Sequence, residues 1–338
     1  MLFEELILDI MKAVNKERTV SSPFHLIKGK KSGQTIQDIG YYQLYPYFAV
    51  LPRLDKLIYD EAVAHLFARG LLKPNNEVIE LSAEALQAEK PQTLLNGWKY
   101  RGRETLFMNR LSLIVQTFSH ISQQVNRFDP VVNTEDIQLW VKTYLKKINF
   151  RNPEVVMAFK NELFESLENV PVAEDSKMIV LQRLSGYGLS GLTWEQIAAT
   201  RRIKAIDAQL KSVETVHSWL DVLEQNDFPL LAGLMEGVIQ LSSLTESARR
   251  TEKLFEQGFS LEQIASLRQL KTSTIEDHFV ELAMNDPYFN YIAFIKKEMY
   301  QKIIAISKEN QTKRLRDIKE KVPDATYFQI RLALAVKQ

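Results

Sequence analysis

The chain has 338 residues, of which 45% are hydrophobic and 25% charged, and at roughly 100–200 residues per domain this length predicts two or three domains. It has no cysteine, which excludes disulfide frameworks, thiolate nucleophiles and cysteine-ligated zinc. Because 43 lysines and arginines balance 42 aspartates and glutamates, any surface that binds nucleic acid must be a local basic patch.

The first residues of the chain, Met1 to Leu6, include two acids and have no basic segment or small-residue cleavage site. They therefore differ from a secretory signal. No apolar run approaches the roughly 20 residues that span a bilayer. We expect a cytoplasmic protein that makes no membrane contact and that associates with the nucleoid through DNA.

Apolar residues recur at spacings of three and four, as in Leu2, Leu6, Ile10 and Val14, and the alternation that is typical of strands is nearly absent. The sequence therefore predicts a mainly α, multi-domain helical protein. We expect a winged-helix-like N-terminal domain over residues 1–90, a helical middle domain over residues 91–243 and a C-terminal helix-turn-helix domain over residues 244–338.

The winged-helix prediction comes from the end of the first region. A helical pattern ends at Gly70, and two short apolar segments, Leu71-Leu72 and Val78 to Ser82, flank a Pro-Asn-Asn turn. A helix that ends at glycine, followed by a strand, a turn and a second strand, is typical of a winged helix.

A basic segment earlier in the same region carries three lysines before a predicted helix: Lys28, Lys30 and Lys31. Lysines in this position can bind a phosphate backbone, and a solvated basic loop explains them equally well. The segment is not a P-loop, because Phe24 stands where that motif needs its first glycine.

An aromatic cluster follows the basic segment, with Tyr41, Tyr42, Tyr45, Tyr47 and Phe48 close together. Such side chains can stack on bases. Their helical spacing is explained more simply by packing into a core, which is the interpretation we favour.

The middle region contains a possible internal repeat, because Thr193 to Lys204 parallels Ser260 to Lys271 in register. The capping pair, the Ile-Ala pair, the arginine and the final lysine recur. A second helix-turn-helix near residues 193–220 would explain the repeat, and so would a common way of starting a capped amphipathic helix.

The C-terminal region carries the clearest motif. A first helix over Ser247 to Gln257 ends at Gly258, which adopts the left-handed cap conformation easily. Ser260 and Gln263 predict a capping box at the start of a second helix. After a turn, Ser273 and Glu276 predict a second capping box at the start of a third helix.

Two short capped helices joined by a tight turn are typical of a DNA-binding helix-turn-helix, whose third helix presents its N-terminal residues to the major groove. Polar residues at the start of the third helix are expected to face outward, and arginines on the first two helices could add backbone contacts. The candidate DNA-binding residues of this region are Arg249, Arg250, Arg268, Lys271, Thr272, Ser273, Thr274 and His278.

Two observations argue against strong nonspecific DNA binding. Glu276 and Asp277 place negative charge on the expected recognition helix. Helix-turn-helix units also serve as packing modules and as protein-docking surfaces.

Catalytic and metal sites are not supported by the sequence. The five histidines are scattered, with none in a spacing typical of zinc sites. No nucleophile motif or carboxylate pair stands out. We expect no enzymatic activity, no metal, no cofactor and no small-molecule substrate.

The C-terminal region resembles the helix-turn-helix domain found at the C-terminus of some RecQ-type DNA helicases. The resemblance is carried by Arg250-Thr251, Leu254-Phe255, Gly258, Ser260 and Ile264-Ala265, and it continues through Leu270-Lys271, Ser273-Thr274-Ile275 and His278. The terminal Tyr327, Ile330 and Arg331 match less specifically.

The N-terminal region is similar to the YpbB family of Gram-positive bacteria. The matching residues are Glu17 to Val20, Ser22, His25-Leu26, Lys28 to Ser32 and Gln34 to Asp38. Taken with the C-terminal match, this resemblance implies a protein encoded beside a RecQ-type helicase that lacks this domain, and hence a helicase accessory that supplies the domain in trans.

We therefore expect a DNA-binding accessory protein that acts with a RecQ-type helicase in DNA repair or replication restart. Two other hypotheses remain open. A helix-turn-helix transcription regulator would show a sharp DNA consensus, and a protein-interaction scaffold would show no salt-dependent DNA binding.

Overall fold

The computed structural model describes residues 2–73, 78–239, 244–286 and 288–336, and these residues are mainly α-helical, as the sequence predicts. The N-terminal helices are α1 (Phe3–Ala13), α2 (Ser22–Ile27), α3 (Gly33–Tyr41), α4 (Lys56–Ala68) and α5 (Ala83–Gln87). The middle helices are α6 (Gly97–Tyr100), α7 (Glu104–Ser122), α8 (Glu135–Lys147), α9 (Pro153–Glu168), α10 (Glu174–Leu181), α11 (Trp194–Arg201), α12 (Ala205–Gln225) and α13 (Pro229–Ala232). The C-terminal helices are α14 (Glu246–Glu256), α15 (Leu261–Arg268), α16 (Thr272–Asn285), α17 (Lys297–Glu309), α18 (Leu315–Lys321) and α19 (Tyr327–Ala335).

The chain forms two compact units. Unit 1 comprises Met1–Leu6, Ala49–Arg53 and Lys90–Gln240, and unit 2 comprises Ile7–Phe48, Leu54–Glu89 and Leu241–Gln338. The expected first and third domains thus share one compact unit, which the sequence did not indicate. The division into three functional domains stays a prediction.

Unit 1 is organised around a large apolar core that α7, α8, α9 and α12 supply. Trp219 lies fully buried at its centre. The Phe107 ring meets the Trp219 ring edge-on at 5.4 Å between centroids, and the indole N–H donates to Ser166 Oγ at 2.9 Å. The polar end of the largest side chain is therefore satisfied inside the core.

Unit 2 joins the two ends of the chain. Helix α16 packs against α14, α15 and α19 of the C-terminal region and against α3 of the N-terminal region. A side-chain bond joins residues that are 240 positions apart in the sequence, from Gln37 Nε2 to Asp277 Oδ1 at 3.2 Å. Glycine at position 33 permits this approach, because a β-carbon there would overlap the Asp277 carboxylate.

The segments that were expected to form the wing pair only at isolated positions. Leu72 and Leu81 form an antiparallel bridge, and Lys73 N donates to Glu80 O at 2.8 Å. No strand occurs among the described residues. The Pro74-Asn75-Asn76 turn lies outside them, so the winged-helix interpretation stays a prediction.

The aromatic cluster lies in the core of unit 2, which confirms the simpler interpretation of its spacing. Tyr41, Tyr47 and Phe48 are buried, and Tyr42 and Tyr45 are half-buried. Tyr47 donates from its hydroxyl to Asp9 Oδ2 at 2.6 Å. Burial raises the pKa of Tyr41 and Tyr42 far above the usual range of a tyrosine.

The repeat seen in the sequence is also a repeat of structure. Thr193 and Ser260 each start a capping box, with Gln196 and Gln263 as the respective partners. Helices α11 and α15 are each followed by a residue with left-handed backbone conformation, Arg202 at φ 54° and Gln269 at φ 52°. Units 1 and 2 therefore each contain a helix, a tight turn and a following helix with the same local geometry.

Candidate nucleic-acid interface

The helix-turn-helix of unit 2 consists of α14, α15 and α16. Gly258 follows α14 with φ at 89°, a conformation that glycine adopts at little cost. Ser260 N donates to Gln263 Oε1 at 2.8 Å, and Gln263 N donates to Ser260 Oγ at 3.3 Å. This reciprocal pair confirms the predicted capping box and fixes where α15 begins.

The second predicted capping box is wrong. Helix α16 begins two residues earlier than expected, with Lys271 in place of Ser273 as its N-cap and no side-chain cap bond. The carboxylate of Glu276 instead accepts from Arg331 Nη2 at 2.8 Å. An ion pair with a residue far along the chain thus replaces the local bond.

The inner face of the motif follows the predicted apolar stripe. Ile264, Ile275 and Phe279 are fully buried. The Phe279 ring lies 4.9 Å from the Phe255 ring and 4.7 Å from the Phe294 ring. This aromatic cluster holds α16 against α14 and the C-terminal helices.

The expectation that His278 faces outward is also wrong, because His278 is only 8% exposed. Its Nδ1 lies 2.8 Å from Thr251 Oγ1, and Arg268 Nη1 is 3.4 Å from the same nitrogen. Burial, and then the charge of Arg268, lower the pKa of His278 to about 4. His278 is therefore a neutral internal residue at neutral pH.

Arg268 connects the first two helices instead of pointing away from them. Its Nη1 donates to Ser247 O at 2.7 Å, its Nη2 donates to Ser247 Oγ at 2.9 Å, and Nη1 also bonds Thr251 Oγ1. In the repeat, Arg201 likewise bonds from the second helix to Asp175 and Gln182. An arginine at this position joins two helices. Its side chain therefore already has hydrogen-bond partners within the protein in the absence of DNA.

The remaining candidates lie at the surface. Lys271, Thr272, Ser273 and Arg250 are exposed, and Thr274 is half-buried. Arg250 Nε lies 3.4 Å from Glu246, in a solvated pair that is weak enough for a phosphate to displace.

Arg249 shares Glu246 with Arg250 at 3.3 Å and is half-buried. The outward-facing basic and hydroxyl side chains are thus concentrated at the first turn of α16 and on the neighbouring part of α14.

The later turns of α16 are covered. Asp277 bonds both Arg331 and Gln37, so α19 and α3 lie over the face on which a recognition helix would present its second turn. Val280 and Met284 are buried. Only the N-terminal turn of α16 is therefore open to a ligand in this arrangement.

The N-terminal basic segment belongs to the same compact unit as the helix-turn-helix. Lys30 and Lys31 are exposed. Lys28 is half-buried, donates to Leu54 O at 3.1 Å and lies 5.3 Å from the centre of the Phe24 ring. Among the described residues, Lys30 and Lys31 have no ion-pair partner, whereas Lys28 is held by its hydrogen bond and its ring contact.

Sequence reasoning missed the role of Arg331. Its guanidinium contacts Glu276 and Asp277 together, and the hydroxyl of Tyr41 donates to its backbone oxygen at 2.9 Å. The adjacent acids on α16 were a signal that a cation was required, but nothing in the sequence identified which one.

Neither a metal site nor a membrane-spanning helix is found among the described residues. Within the described ranges, no three His, Asp or Glu side chains come together in a way that could hold a metal ion. None of the helices in that part of the chain has the length and apolar character that a membrane-spanning helix needs.

Comparison with known proteins gives two matches. A family model described as a helix-turn-helix domain matches residues 247–334, which spans α14 to α19. The protein named YpbB from Bacillus subtilis (strain 168) is 31% identical over 344 residues, covering 98% of this chain and 96% of that protein. No solved structure matches significantly.

Proposed function

This chain belongs to the YpbB family, and we propose that it is a non-enzymatic DNA-binding accessory protein that acts with a RecQ-type helicase in DNA repair or replication restart. The observation that carries the proposal is the helix-turn-helix domain with an exposed polar first turn on α16. The helicase partnership rests on the resemblance of this domain to the C-terminal domain of RecQ-type helicases.

The open surface suits phosphate groups better than base edges. Lys271 supplies charge, and the hydroxyls of Thr272 and Ser273 supply hydrogen-bond donors at a helix start. A helix that reads bases places side chains from one face of its first two turns on base edges in the major groove. Because α3 and α19 cover that face, contact with the backbone is the mode that the arrangement supports.

The geometry of α16 bears differently on the two alternative functions, a transcription regulator and a protein scaffold. A transcription regulator would need the covered face of α16, so it is disfavoured. A protein scaffold without DNA contact is favoured by the same burial, since all three helices of the motif are used in packing. Two measurements separate these cases: a sharp consensus from a pool of random oligonucleotides indicates a regulator, and the absence of any salt-dependent DNA binding indicates a scaffold.

Neutralising the open surface should weaken DNA binding without regard to sequence. We expect the double variant Lys271→Gln, Arg250→Gln to bind forked DNA more weakly. The dependence of log affinity on log salt should become shallower by about 0.9 for each lost phosphate contact. Fluorescence anisotropy over a salt series measures both quantities.

Lys16→Gln provides the matched control, because Lys16 is an exposed lysine of the same unit that lies outside the candidate surface and 3.9 Å from Glu80. It should bind like the wild type. A double variant with unchanged affinity and salt dependence would show that DNA does not contact this surface.

The helicase partnership needs a separate test. The intact protein, used as bait in a lysate treated with nuclease, should retain a RecQ-type helicase. Loss of the helicase after nuclease treatment would mean that DNA bridges the two proteins, and the proposal of a direct accessory would then fail.

A further inference from the structure

A cavity of about 240 Å³ lies in unit 2 between the end of α1, α2 and the start of α3. Its floor is formed by the buried side chains Ile10, Leu26 and Leu44. Exposed Thr19, Ser21, Lys30 and Gln34 also line it, so it opens to solvent on that side. The cavity therefore has a closed apolar end and a polar entrance, and it is smaller than the pockets of roughly 300–1,000 Å³ that enclose drug-sized ligands.

Hydroxyl side chains dominate the polar lining. Thr19 Oγ1 lies 3.1 Å from Ser21 Oγ and 3.3 Å from Ser22 Oγ. Among the other lining residues, Ser32 Oγ lies 2.8 Å from Thr35 Oγ1. Since a hydroxyl both donates and accepts and can rotate, these groups can turn their hydrogens toward acceptor oxygens that enter.

The charge of the lining favours an anion. Lys30 is exposed and, within the described ranges, has no carboxylate at ion-pair distance. Asp38 is the acid of the lining, and Arg18 holds it, with Nη2 2.7 Å from Oδ1 and Nε 2.9 Å from the same oxygen. The negative charge of Asp38 is therefore compensated by the Arg18 guanidinium.

The pKa of His25, which also lines the cavity, is affected by the same positive charge. Desolvation, and then the charges of Lys30 and Lys56, lower its pKa below the usual value. The lowered pKa favours the neutral imidazole, which carries one N–H donor at the cavity lining without adding charge.

We propose that this cavity binds a terminal phosphate monoester of a nucleic-acid strand, such as a 5′-phosphate. A phosphate monoester brings close to two negative charges and three strong acceptor oxygens, which match one lysine and a ring of hydroxyl donors. A cavity of about 240 Å³ with buried apolar residues in its lining has room for a chain end, whereas an internal phosphodiester, with sugars on both sides, needs an open groove. That the phosphate belongs to DNA rests on the proposed function.

The test compares one strand with two different ends. Fluorescence anisotropy of the full-length protein with a 5′-phosphorylated and a 5′-hydroxyl oligonucleotide should show about tenfold tighter binding of the phosphorylated strand. In Lys30→Gln this preference should vanish, with the two strands bound alike. Lys31→Gln is the matched control, because Lys31 is the adjacent exposed lysine and does not line the cavity, and it should keep the preference.

Three outcomes would overturn the inference, and they are distinguishable. Equal binding of the two strands by the wild type would refute the phosphate site and leave the proposed function standing. No binding of either strand would contradict the proposed function and the inference together. If a free nucleoside 5′-monophosphate shifts the His25 ring resonances as strongly as the phosphorylated strand at equal concentration, the cavity takes a small molecule and the assignment to a strand end is wrong.

Discussion

Replacing Phe279 with alanine should lower the free energy of unfolding of unit 2 by about 3–5 kcal/mol. Phe279 is fully buried, and its ring contacts Phe255 and Phe294. Truncation removes the transfer free energy of the ring and leaves a cavity beside Phe255 and Phe294. No other single change on α16 removes as much buried apolar surface.

The readout has to report on unit 2. The four tryptophans are Trp98, Trp140, Trp194 and Trp219, and all of them belong to unit 1. Amide hydrogen exchange in α14, α15 and α16 is therefore the measurement of choice. Tyr288→Ala serves as the control, because Tyr288 is 92% exposed and its loss should cost less than about 0.5 kcal/mol. A cost below about 1 kcal/mol for Phe279→Ala would contradict the packing described for α16.

Replacing Arg331 with alanine should cost about 2–3 kcal/mol, somewhat less than the 3–5 kcal/mol typical of breaking a fully buried ion pair. The Arg331 side chain is 15% exposed, and those of Glu276 and Asp277 are 25% and 34% exposed. Without the guanidinium, two adjacent carboxylates remain in a partly desolvated site. Hydrogen exchange in α16 and α19 should show the loss.

The loss should also depend on pH in a definite direction. Burial already raises the pKa of Glu276 and Asp277 while Arg331 opposes it, so removing Arg331 raises both further. An acid whose pKa is higher in the folded state binds protons preferentially there as the pH falls. The variant should therefore recover part of its stability at about pH 4.5 relative to about pH 7.

Arg316→Ala is the matched control for this ion pair. Arg316 lies 3.1 Å from Glu320, with the two side chains 81% and 65% exposed, and an exposed pair of this kind contributes less than about 1 kcal/mol. Equal costs for the two arginine variants at both pH values would show that Arg331 is not holding α16 in place.

Local features of the fold were predictable because their causes lie within a few residues. Ser260 and Gln263 specify a capping box by their spacing alone, and Gly258 specifies the end of α14. The apolar spacing of Ile264, Ile275 and Phe279 specified the inner face of the motif. These signals depend on backbone geometry that is complete within one or two turns.

Features that depend on distant contacts were not predictable. The bond between Gln37 and Asp277 joins segments from opposite ends of the chain, and no periodicity in either segment indicates the other. The same contact covers the second turn of α16, and the ion pair between Arg331 and Glu276, likewise between distant segments, explains why Glu276 has no capping role. His278 looked like a surface residue for a related reason, since its partners Thr251 and Arg268 lie on two other helices.

Because α3 and α19 cover α16, the choice of variant decides whether a DNA-binding experiment is informative. A truncation after residue 243 would be a poor test of DNA binding, because it removes α16 and α19 from the N-terminal helices that pack against them. Point variants at exposed positions preserve unit 2 and separate loss of contact from loss of fold.

The most direct measurement is the salt dependence of binding between the intact protein and forked DNA. If the exposed cations of unit 2 contact phosphates, the protein binds at about 50 mM salt and log affinity falls with log salt at about −0.9 for each phosphate contact. The slope should then be about −2 or steeper, with Lys271 and Arg250 contributing. No binding at low salt, or an affinity indifferent to salt, would contradict the proposal that this protein handles DNA.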